Sequence, residues 1–493
     1  MMYRSTRGRS SFITSSEAII RGIAEDGGLY IPACIPKIDI SFSELSDMSY
    51  KQAAAYILGK FLTDFSEDEL KEYIGKAYDE KFTTAETVAL TKADNAFFLE
   101  LYHGPTLAFK DMALSLLPYL LKGAMKKNAI TKELVILTAT SGDTGKAALE
   151  GFAGVAGTKI VVFYPQEGVS EIQKRQMITQ EGENTLVVGI RGNFDDAQNG
   201  VKAIFNDSAY RDRLEKKGYL LSSANSINIG RLIPQLVYYF FAYARLVRNS
   251  VIIDGEKINI AVPTGNFGNI LAAFYAKEMG LPVNKLICAS NENNILYDFI
   301  RTGVYDMHRS FKTTVSPSMD ILISSNLERL LYYISGEDGS AVEALMNRLE
   351  AQGKYEISKT MKKGLKEFWG GYADDEDTLS RIREVYGKYK YIIDTHTAVA
   401  YSVYKQYAEA TGDSTVTVIA STASPFKFTR SVCGSLDINS AGLDDFELLK
   451  QLSDSTGLEV PPTIKGLESK NIVHDRICGK EEMMDVVNEF LKV

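Results

Sequence analysis

Cysteine is scarce in this sequence: the 493 residues contain four, at Cys34, Cys288, Cys433 and Cys478. They are widely spaced, with no C-x-x-C pair and no Cys/His cluster, so the pattern favours neither a disulfide framework nor a metal site. Free thiols are typical of a reducing compartment, and we expect a cytoplasmic protein.

Long apolar runs are also missing. No window reaches the roughly 18 to 20 apolar residues that a membrane-spanning helix needs. The nearest candidate, LIPQLVYYFFAYARLV, is interrupted by Pro234 and Gln235. The first residues, MMYRSTRGRSSF, do not lead into an apolar signal core. The sequence therefore predicts no membrane association.

An excess of positive charge is absent too. The net charge is -8, whereas a general nucleic-acid surface needs clustered Lys and Arg. Neither of the common nucleotide-binding patterns, G-x-x-x-x-G-K-[ST] and G-x-G-x-x-G, occurs. We therefore expect no nucleic-acid partner and consider a nucleotide ligand less favoured.

What is present is an alternation of short apolar runs with helical patterns. A chain of this length exceeds one core, and such alternation is typical of parallel sheets covered by helices, so we predict an α/β protein with two lobes. The boundaries predicted are a helical N-terminal segment over 1–92, a first lobe over 93–250 and a second lobe over 251–493. A charged helical insertion is predicted at about 328–391. The predicted strands are ELVILT, KIVVFY, TLVVGI, KINIAV, KLICAS and TVTVIAS.

Two glycine loops each lie between a predicted strand and a predicted helix. One is ATSGDTGK, from Ala139 to Lys146, and the other is PTGNFGN, which contains Gly265 to Asn269. Backbone amides at such helix starts bind anions. The alternative is that each is only a tight turn, which for a lone Gly-x-x-Gly is the commoner outcome. Finding both at the same position in different lobes favours two anion sites.

A single lysine, Lys110, stands in LYHGPTLAFKDMAL, between a Gly-Pro turn and an apolar helix. From this stretch alone it reads as an ordinary helix-entry lysine with its charge in water. Together with two anion loops, however, it matches the needs of a pyridoxal phosphate enzyme. The lysine would hold the cofactor as a Schiff base, one loop its phosphate, and the other the substrate carboxylate.

Eight motifs follow one another along the chain: YRSTRG, EDGGLYIP, HGPTLAFKDMAL, TSGDTG, NSINIGRLIPQ, PTGNFGN, DTHTAVA and TASPFKF. In these motifs the chain resembles the threonine synthase family, within the fold-type II (tryptophan synthase β-like) pyridoxal phosphate enzymes. The first two motifs point to the longer subgroup, because dehydratases and cysteine synthase lack this N-terminal segment.

The resemblance implies roles for individual residues around the cofactor. Lys110 would be the Schiff-base lysine and Thr422 the hydroxyl partner of the pyridine nitrogen. In TSGDTG, Asp143 would act with its neighbours on the substrate carboxylate and the phenolic oxygen of the ring. The cofactor phosphate would be bound by the loop Gly265, Asn266, Phe267, Gly268 and Asn269.

The resemblance also implies a substrate site. Ser141 and Thr144 would contact the substrate carboxylate. Arg231 would bind a substrate phosphate, since its planar fork makes paired hydrogen bonds to phosphate oxygens. The residues expected beside Arg231 are Asn225, Ser226 and Asn228.

Several side chains in these motifs keep two possible roles. His103 and His396 are more often fixed by local hydrogen bonds than used as proton shuttles. Lys427 could reach an anion or lie at the surface. Ser424 stands where the bacterial pattern often has a histidine, which leaves its role open. Asp111 reads as a first-turn acid favoured by the helix dipole.

The implied reaction is a β,γ-replacement that converts O-phospho-L-homoserine and water to L-threonine and phosphate, the last step of threonine biosynthesis. Two alternatives stay open. The protein could be a phospholyase or dehydratase that stops at elimination and releases a 2-oxo acid, or a non-catalytic relative. The intact lysine, loops and arginine speak against the last. We expect a monomer or a homodimer.

Overall fold

The computed structural model describes residues 1–140, 142–167 and 169–493. The first hundred residues form a small antiparallel sheet, four helices and a hairpin. Each helix starts at a Ser or Thr that accepts a backbone N–H three residues on, which explains why the long helical pattern divides at Ser66. The elements are β1 Met2–Ser5, β2 Ile13–Thr14, α1 Ser15–Arg21, β3 Tyr30–Pro32, α2 Phe42–Ser46, α3 Tyr50–Phe61, α4 Glu67–Ala77, β4 Ala89–Ala93 and β5 Ala96–Glu100.

The next part of the chain alternates strands and helices. Its strands lie in a parallel five-stranded sheet. The elements are α5 Asp111–Leu114, α6 Leu117–Lys127, β6 Glu133–Ala139, α7 Asp143–Phe152, β7 Thr158–Pro165, α8 Glu171–Ile178, β8 Thr185–Ile190, α9 Phe194–Asn206, α10 Ser208–Lys216, β9 Tyr219–Ser222, α11 Ile229–Leu232 and α12 Pro234–Arg248.

The remaining half contains most of a second, six-stranded sheet. Its elements are β10 Ile258–Pro263, α13 Gly268–Met279, β11 Val283–Ser290, α14 Ile295–Thr302, β12 Val304–Asp306, α15 Leu327–Ile334, α16 Gly339–Gln352, β13 Lys354–Glu356, α17 Lys359–Gly364, β14 Phe368–Tyr372, α18 Asp375–Tyr389, α19 Thr395–Thr411, β15 Thr417–Ser421, α20 Thr429–Ser435, α21 Asp445–Thr456, β16 Ile477–Cys478 and α22 Met483–Leu491. Short 3-10 helices cover Pro317–Met319, Leu365–Glu367, Pro425–Phe428, Leu467–Ser469 and Lys480–Glu482.

The two sheets exchange segments across the predicted lobe boundaries. The six-stranded sheet has the order β14-β11-β10-β15-β5-β4, so β5 pairs with β15 from the far end of the chain and β4 joins the sheet through β5. The five-stranded sheet has the order β16-β8-β7-β6-β9, so the C-terminal strand β16 returns to the first lobe. A contiguous division at 92 and 250 therefore does not describe the sheets, because a strand's apolar pattern does not state which sheet it joins.

The predicted insertion at 328–391 is likewise not wholly helical. Strand β14 lies within it and pairs in parallel with β11 at the edge of the six-stranded sheet. Its first residues are not solvated either: Arg329 is fully buried and Glu328 is nearly so. Both contact the N-terminal segment. The charged composition of this region concealed two strands, β13 and β14, and a buried arginine.

The segments of the predicted site meet because of how the sheets are built. The inner strands β10 and β15 are buried along their whole length, as expected of parallel strands covered on both faces. The TSGDTG, GNFGN and TASPFKF motifs follow the carboxyl ends of β6, β10 and β15, where ligands bind in open α/β sheets. In the part of the chain that the structure describes, no helix has the length and apolar character needed to cross a membrane.

Candidate active site

Lys110 is the residue just before helix α5, at the end of a buried turn. Two backbone contacts join this turn to the segment after β15: Phe109 donates its N–H to the Thr422 carbonyl at 2.8 Å, and Ser424 donates to the Leu107 carbonyl at 3.0 Å. The Lys110 side chain is only 12% exposed. It is therefore a buried amine in a fixed turn, which excludes the reading of a lysine extended into water.

Asp111 shapes this turn from within. Its carboxylate accepts the Thr106 backbone N–H at 2.8 Å and the Thr106 hydroxyl at 2.6 Å. A Cβ at Gly104 would lie 2.6 Å from the Asp111 side chain, so only glycine fits there. Burial raises the pKa of Asp111 to about 6. Asp111 is the first-turn acid of α5, as expected, but it is also 1% exposed and bonded to the turn before the helix.

Asp143, the first residue of α7, joins the two lobes at the site. Its Oδ2 lies 3.2 Å from the Lys110 Nζ and accepts the Ser318 hydroxyl at 3.3 Å. Its Oδ1 lies 2.7 Å from the Lys427 Nζ and accepts Nε2 of Gln173 at 2.7 Å. Burial alone would raise the pKa of Asp143, but the nearby charges of Lys427 and Lys110 outweigh it and hold that pKa well below its usual range. The carboxylate is thus ionised and fully bonded.

The pKa of the Lys110 amine is lowered, which is the direction that a proton acceptor needs. Burial lowers the pKa of Lys110, and the positive charges of Lys427 and Arg231 add to that effect. Asp143 opposes it without cancelling it. A buried lysine with a lowered pKa is a common feature of catalytic amines.

The loop after β10 has the geometry of an anion site. Phe267 takes the left-handed conformation, with φ of 63°, and α13 begins at Gly268. The first amides of α13, including those of Gly268 and Asn269, have no partner within their own helix and can bind an anion. Gly265 is required for close packing, because a Cβ there would lie 2.9 Å from the Ser318 carbonyl oxygen.

Side chains around this loop fix it in place. Asn269 is buried, and its Oδ1 accepts the hydroxyls of Tyr238 at 2.7 Å and Tyr239 at 2.5 Å. Its Nδ2 is buried without a hydrogen-bond partner among the described residues. The Asn266 carbonyl accepts both the backbone N–H and the side-chain amide of Asn326, each at 3.1 Å. The side-chain amide of Asn269 is therefore an unused hydrogen-bond donor beside the unpartnered backbone amides at the start of α13.

The loop before α7 is ordered by Thr140. Its hydroxyl oxygen accepts the N–H groups of Gly142 at 3.0 Å and Gly145 at 2.9 Å. Gly142 has a φ of 144°, and a Cβ there would meet the Gln173 side chain at 2.6 Å. Thr144 is half-buried in the first turn of the helix. Ser141, a predicted substrate contact, lies outside the described residues.

The segment before α12 contains a buried arginine without an acidic partner. Arg231 is 4% exposed, and it donates to the Ala224 carbonyl at 2.8 Å. Among the described residues its Nε has no partner, and none of their carboxylates forms an ion pair with it. Burial lowers the pKa of Arg231 to about 10, so the charge is present and costly at neutral pH.

The three neighbours predicted to share a phosphate with Arg231 differ in their surroundings. Asn225 is exposed and Ser226 half-buried, so both are accessible. Asn228 is buried, and its amide donates to the Ile19 carbonyl at 2.9 Å while its Oδ1 accepts the Gly230 N–H at 2.8 Å. These bonds cap α11 and attach it to α1. A substrate contact by Asn228 stays a prediction.

The two histidines have local hydrogen-bond partners. His396 is buried, with Nδ1 2.8 Å from Asp394 and Nε2 accepting the Ser318 N–H at 3.1 Å. His103 contacts Glu100 through Nε2 at 2.7 Å. Ser424 caps the following 3-10 helix through a 3.3 Å bond from the Phe426 N–H. These contacts favour positioning roles for all three.

Sequence reasoning missed two contributors to the site. Ser318 lies in a stretch with no motif, yet it contacts Asp143, His396 and the Gly265 loop. Arg329 donates to the Tyr30 carbonyl at 3.0 Å, to Asn326 at 2.5 Å and to the Ile227 carbonyl at 2.6 Å. It thereby connects the N-terminal segment to the NSINIGR segment and, through Asn326, to the Gly265 loop. Only the EDGGLYIP and NSINIGR motifs hinted at this contact.

These residues fit pyridoxal phosphate. The cofactor needs a buried amine, an anion cradle for its phosphate and a hydrogen-bond partner for its ring nitrogen. Lys110, the α13 N-terminus with the unpartnered Asn269 amide, and the buried Thr422 supply these groups. The backbone bond from Phe109 to Thr422 holds the first and third of them together.

Comparison with known proteins agrees with this geometry. The family model for pyridoxal-phosphate dependent enzymes matches residues 84–422, and that for the threonine synthase N terminus matches residues 2–78. Threonine synthase from Saccharomyces cerevisiae is 37% identical, over 88% of this chain and 89% of its own length. The chain belongs to the threonine synthase family. The family's cofactor is pyridoxal phosphate, and the enzyme fold is of type II.

Two further relatives extend the comparison. The structure of pyridoxal phosphate-bound threonine synthase from Brucella melitensis is 35% identical and superposes with a TM-score of 0.88, over 100% of this chain and 99% of that one. Human threonine synthase-like 1 is 42% identical over 86% of this chain. The chain spans only 58% of the length of that human relative.

Proposed function

We propose that the protein is a threonine synthase, a lyase that converts O-phospho-L-homoserine and water to L-threonine and phosphate. The observation that carries the proposal is the guanidinium of Arg231, which is buried without an acidic partner among the described residues. Burial is the main cause of the lowered pKa of Lys110, and the charge of Arg231 adds to it. A cation buried without an acidic partner is costly unless a ligand supplies the anion. A phosphorylated amino acid that reacts at Lys110 meets that need.

Lys110 would hold the cofactor covalently, with the amides of Gly265 to Asn269 on its phosphate and Thr422 at its ring nitrogen. Bound pyridoxal phosphate supplies a conjugated ring that takes up the electron pair left when a proton is removed next to the amine. A neutral hydroxyl at the ring nitrogen leaves that nitrogen unprotonated more readily than a carboxylate does, which makes the ring a milder electron acceptor.

Lys110 would then move the protons. Once the substrate amine displaces it, its lowered pKa leaves a larger share of free amine near neutral pH, and the free amine accepts the substrate's α-proton. A second proton would leave the β-carbon, and the electron pair left behind would expel phosphate from the γ-carbon. A proton would then return to the γ-carbon, water would add its oxygen at the β-carbon, and a proton returned to the α-carbon would complete threonine.

Arg231 would stabilise the charge that grows on the departing phosphate, because a fixed donor in a buried site needs no reorganisation as the charge develops. Asn225, Ser226 and Asn228 are proposed to assist it. Ser141, Asp143 and Thr144 are proposed to hold the substrate carboxylate and the phenolic oxygen of the ring, with Asp143 kept in place by two lysines.

The remaining proposals concern the protein as a whole. We propose a cytoplasmic enzyme of small metabolites, acting as a monomer or homodimer without a nucleic-acid partner. All four cysteines are free thiols, which supports a reducing compartment. The net charge of -8 speaks against a phosphate-backbone partner.

The deciding experiment identifies the organic product when the cofactor-loaded protein is given O-phospho-L-homoserine. Threonine as the main product, with one phosphate per turnover, supports the proposal. A 2-oxo acid as the main product shows that elimination wins and overturns it, since release of phosphate is common to both. Protein freed of cofactor is the control and gives neither product.

A further inference from the structure

Lys427 is fully buried, although the sequence left open whether it lies at the surface. Its Nζ donates to the Thr106 carbonyl at 2.8 Å and lies 2.7 Å from Oδ1 of Asp143. The exposed fraction of its side chain is 0%. One ammonium group thus joins the turn before Lys110, the helix start at Asp143 and the segment after β15.

Two lysines share the Asp143 carboxylate unequally. Lys427 contacts Oδ1 at 2.7 Å, beside the amide of Gln173, whereas Lys110 lies 3.2 Å from Oδ2. Charge-assisted hydrogen bonds between N and O are strongest near 2.7 to 2.9 Å. The carboxylate of Asp143 is therefore bonded more strongly to Lys427 than to Lys110.

We propose that Lys427 is a positioning residue that engages Asp143 so that Lys110, whenever it is not bonded to the cofactor, is available as a free amine. Lys427 itself is not placed against substrate or cofactor. Its effect on Lys110 acts through the shared carboxylate and through its positive charge. The catalytic consequence rests on the proposed function, whereas the effect on the amine does not.

The titratable groups around the pair determine the sign of the effect. Lys110 is influenced by Asp143, Lys427 and Arg231, and Asp143 is influenced in addition by His396. Of these, only Asp143 favours the ammonium form of Lys110. Without the charge of Lys427, the ammonium form of Lys110 is repelled less, and Asp143 is free to bond more closely to Lys110. Each of these two changes favours the protonated form of Lys110.

Charges on the far side of Lys427 do not reverse this sign. Lys427 also influences buried Asp111 and buried Lys146, which lie on α5 and α7. Lys146 is itself bonded to Glu150 at 3.1 Å and to Gln180. These groups belong to a separate cluster, and neither Asp111 nor Lys146 contributes to the influences on Lys110 given above.

A purely structural cross-link makes a different prediction from a charge effect. Lys427→Gln retains a donor for the Thr106 carbonyl and removes the charge, and Lys427→Met removes both. Lys427→Arg retains the charge. If the residue only braced the fold, the pH response of Lys110 would be the same in every folded variant.

The experiment follows uptake of pyridoxal phosphate by the apoprotein of each variant, by absorbance, across pH. Uptake onto Lys110 requires the free amine, so the rate of uptake rises with pH. The pH at which the rate is half of its maximum, called the midpoint here, reports the pH at which half of the Lys110 side chains are deprotonated. We expect the midpoint of Lys427→Gln to lie higher than wild type by about one pH unit, the scale of a nearby charge. Lys427→Arg should stay close to wild type.

The outcomes separate this inference from the proposed function, because uptake needs no substrate. An unchanged midpoint in folded Lys427→Gln overturns the inference even when threonine is made. Weaker cofactor affinity at every pH without a shifted midpoint also overturns it, since it places Lys427 on the cofactor itself.

A second measurement covers variants that fail to fold, as judged by circular dichroism. Trace acetylation of the wild-type apoprotein at a series of pH values, read by peptide mass spectrometry, gives the titration midpoint of each lysine. The inference expects the midpoint of Lys110 below those of exposed lysines and Lys427 protected from the reagent. A Lys110 midpoint equal to theirs, or ready labelling of Lys427, contradicts it.

Discussion

Ser318 donates its backbone N–H to Nε2 of His396 at 3.1 Å. The other ring nitrogen, Nδ1, lies 2.8 Å from Asp394. An imidazole that accepts at Nε2 holds its single proton on Nδ1, where it donates to the carboxylate. His396 thereby fixes Ser318, whose hydroxyl contacts Asp143 in the other lobe. The histidine positions a bridge between the lobes.

This arrangement predicts the tautomer of His396. Selective ¹⁵N labelling of the four histidines, with long-range ¹H–¹⁵N spectra near neutral pH, should show one ring protonated only at Nδ1. His396→Gln assigns the signal by removing it, and exposed His308 serves as the reference ring. A proton found on Nε2 of His396 would contradict the bond from Ser318.

Gly265 should be intolerant of a side chain. In Gly265→Ala the new Cβ would lie 2.9 Å from the Ser318 carbonyl, and backbone atoms cannot rotate away as a side chain can. We expect the affinity for pyridoxal phosphate to fall at least about tenfold, because the amide cradle moves with the loop. Titration of the apoprotein by absorbance measures it.

A matched control is available in α18. Gly387→Ala adds a Cβ that meets nothing within 4 Å, so it should leave cofactor affinity unchanged and raise stability by up to about 1 kcal/mol. Equal affinities for the wild type and Gly265→Ala would show that the loop does not depend on this close approach.

Much of this architecture could be predicted from the sequence. The six apolar runs are all strands, since continuous apolar stretches between helical patterns suit sheets covered on both faces. The loops that contain Asp143 and Gly265 lie at the strand ends where the motifs placed them. Motifs succeed here because they are local, and the strand-to-helix turn is specified by adjacent residues.

The rest depends on contacts between residues far apart in sequence. Ser318 belongs to no motif and gains its role only because His396 and Asp143 lie beside it. Lys427 is one lysine in a short turn, and nothing local states that its ammonium is buried. Strand β5 joins the second-lobe sheet through pairing with β15, more than three hundred residues on. A pattern along the chain does not contain such partners.

Lys110 should be the only residue that holds the cofactor covalently. Borohydride reduction of the loaded wild-type protein should fix the added mass on the peptide that contains Lys110. Lys110→Ala should carry no added mass and show no turnover, because the other amine at Asp143, that of Lys427, is fully buried and bonded to the Thr106 carbonyl. Lys51→Ala, at an exposed position in α3, should behave as the wild type. Full activity in Lys110→Ala would refute the assignment.

Asp111 should make stability depend on pH in a defined direction. Its pKa is raised to about 6 in the folded state from an ordinary value of 3.8. The folded protein therefore binds the proton more tightly, and the stabilisation is complete below about pH 4 and is lost as the pH rises through 6. The whole effect is about 3 kcal/mol.

Asp111→Asn isolates this effect. The variant loses a proton-binding group and one acceptor for Thr106, so it should be less stable than the wild type. The difference in free energy of unfolding should be largest near pH 4 and shrink toward pH 7, as urea unfolding at several pH values would show. A difference that grows with pH would reverse the predicted sign.

Arg231 should separate stability from substrate binding. Because its guanidinium is buried with no carboxylate partner in the described chain, Arg231→Met removes a desolvation cost, and the unliganded protein should melt no lower than the wild type. Inorganic phosphate at a hundred times its dissociation constant should stabilise the wild type by about 2.7 kcal/mol. Arg231→Met should lose most of that gain and show at least a roughly tenfold higher KM for O-phospho-L-homoserine.

Arg348→Met, at an exposed position in α16, should retain the phosphate effect in full. If Arg231→Met melted well below the wild type and still responded to phosphate, the arginine would be bracing the fold, and the phosphate would bind elsewhere.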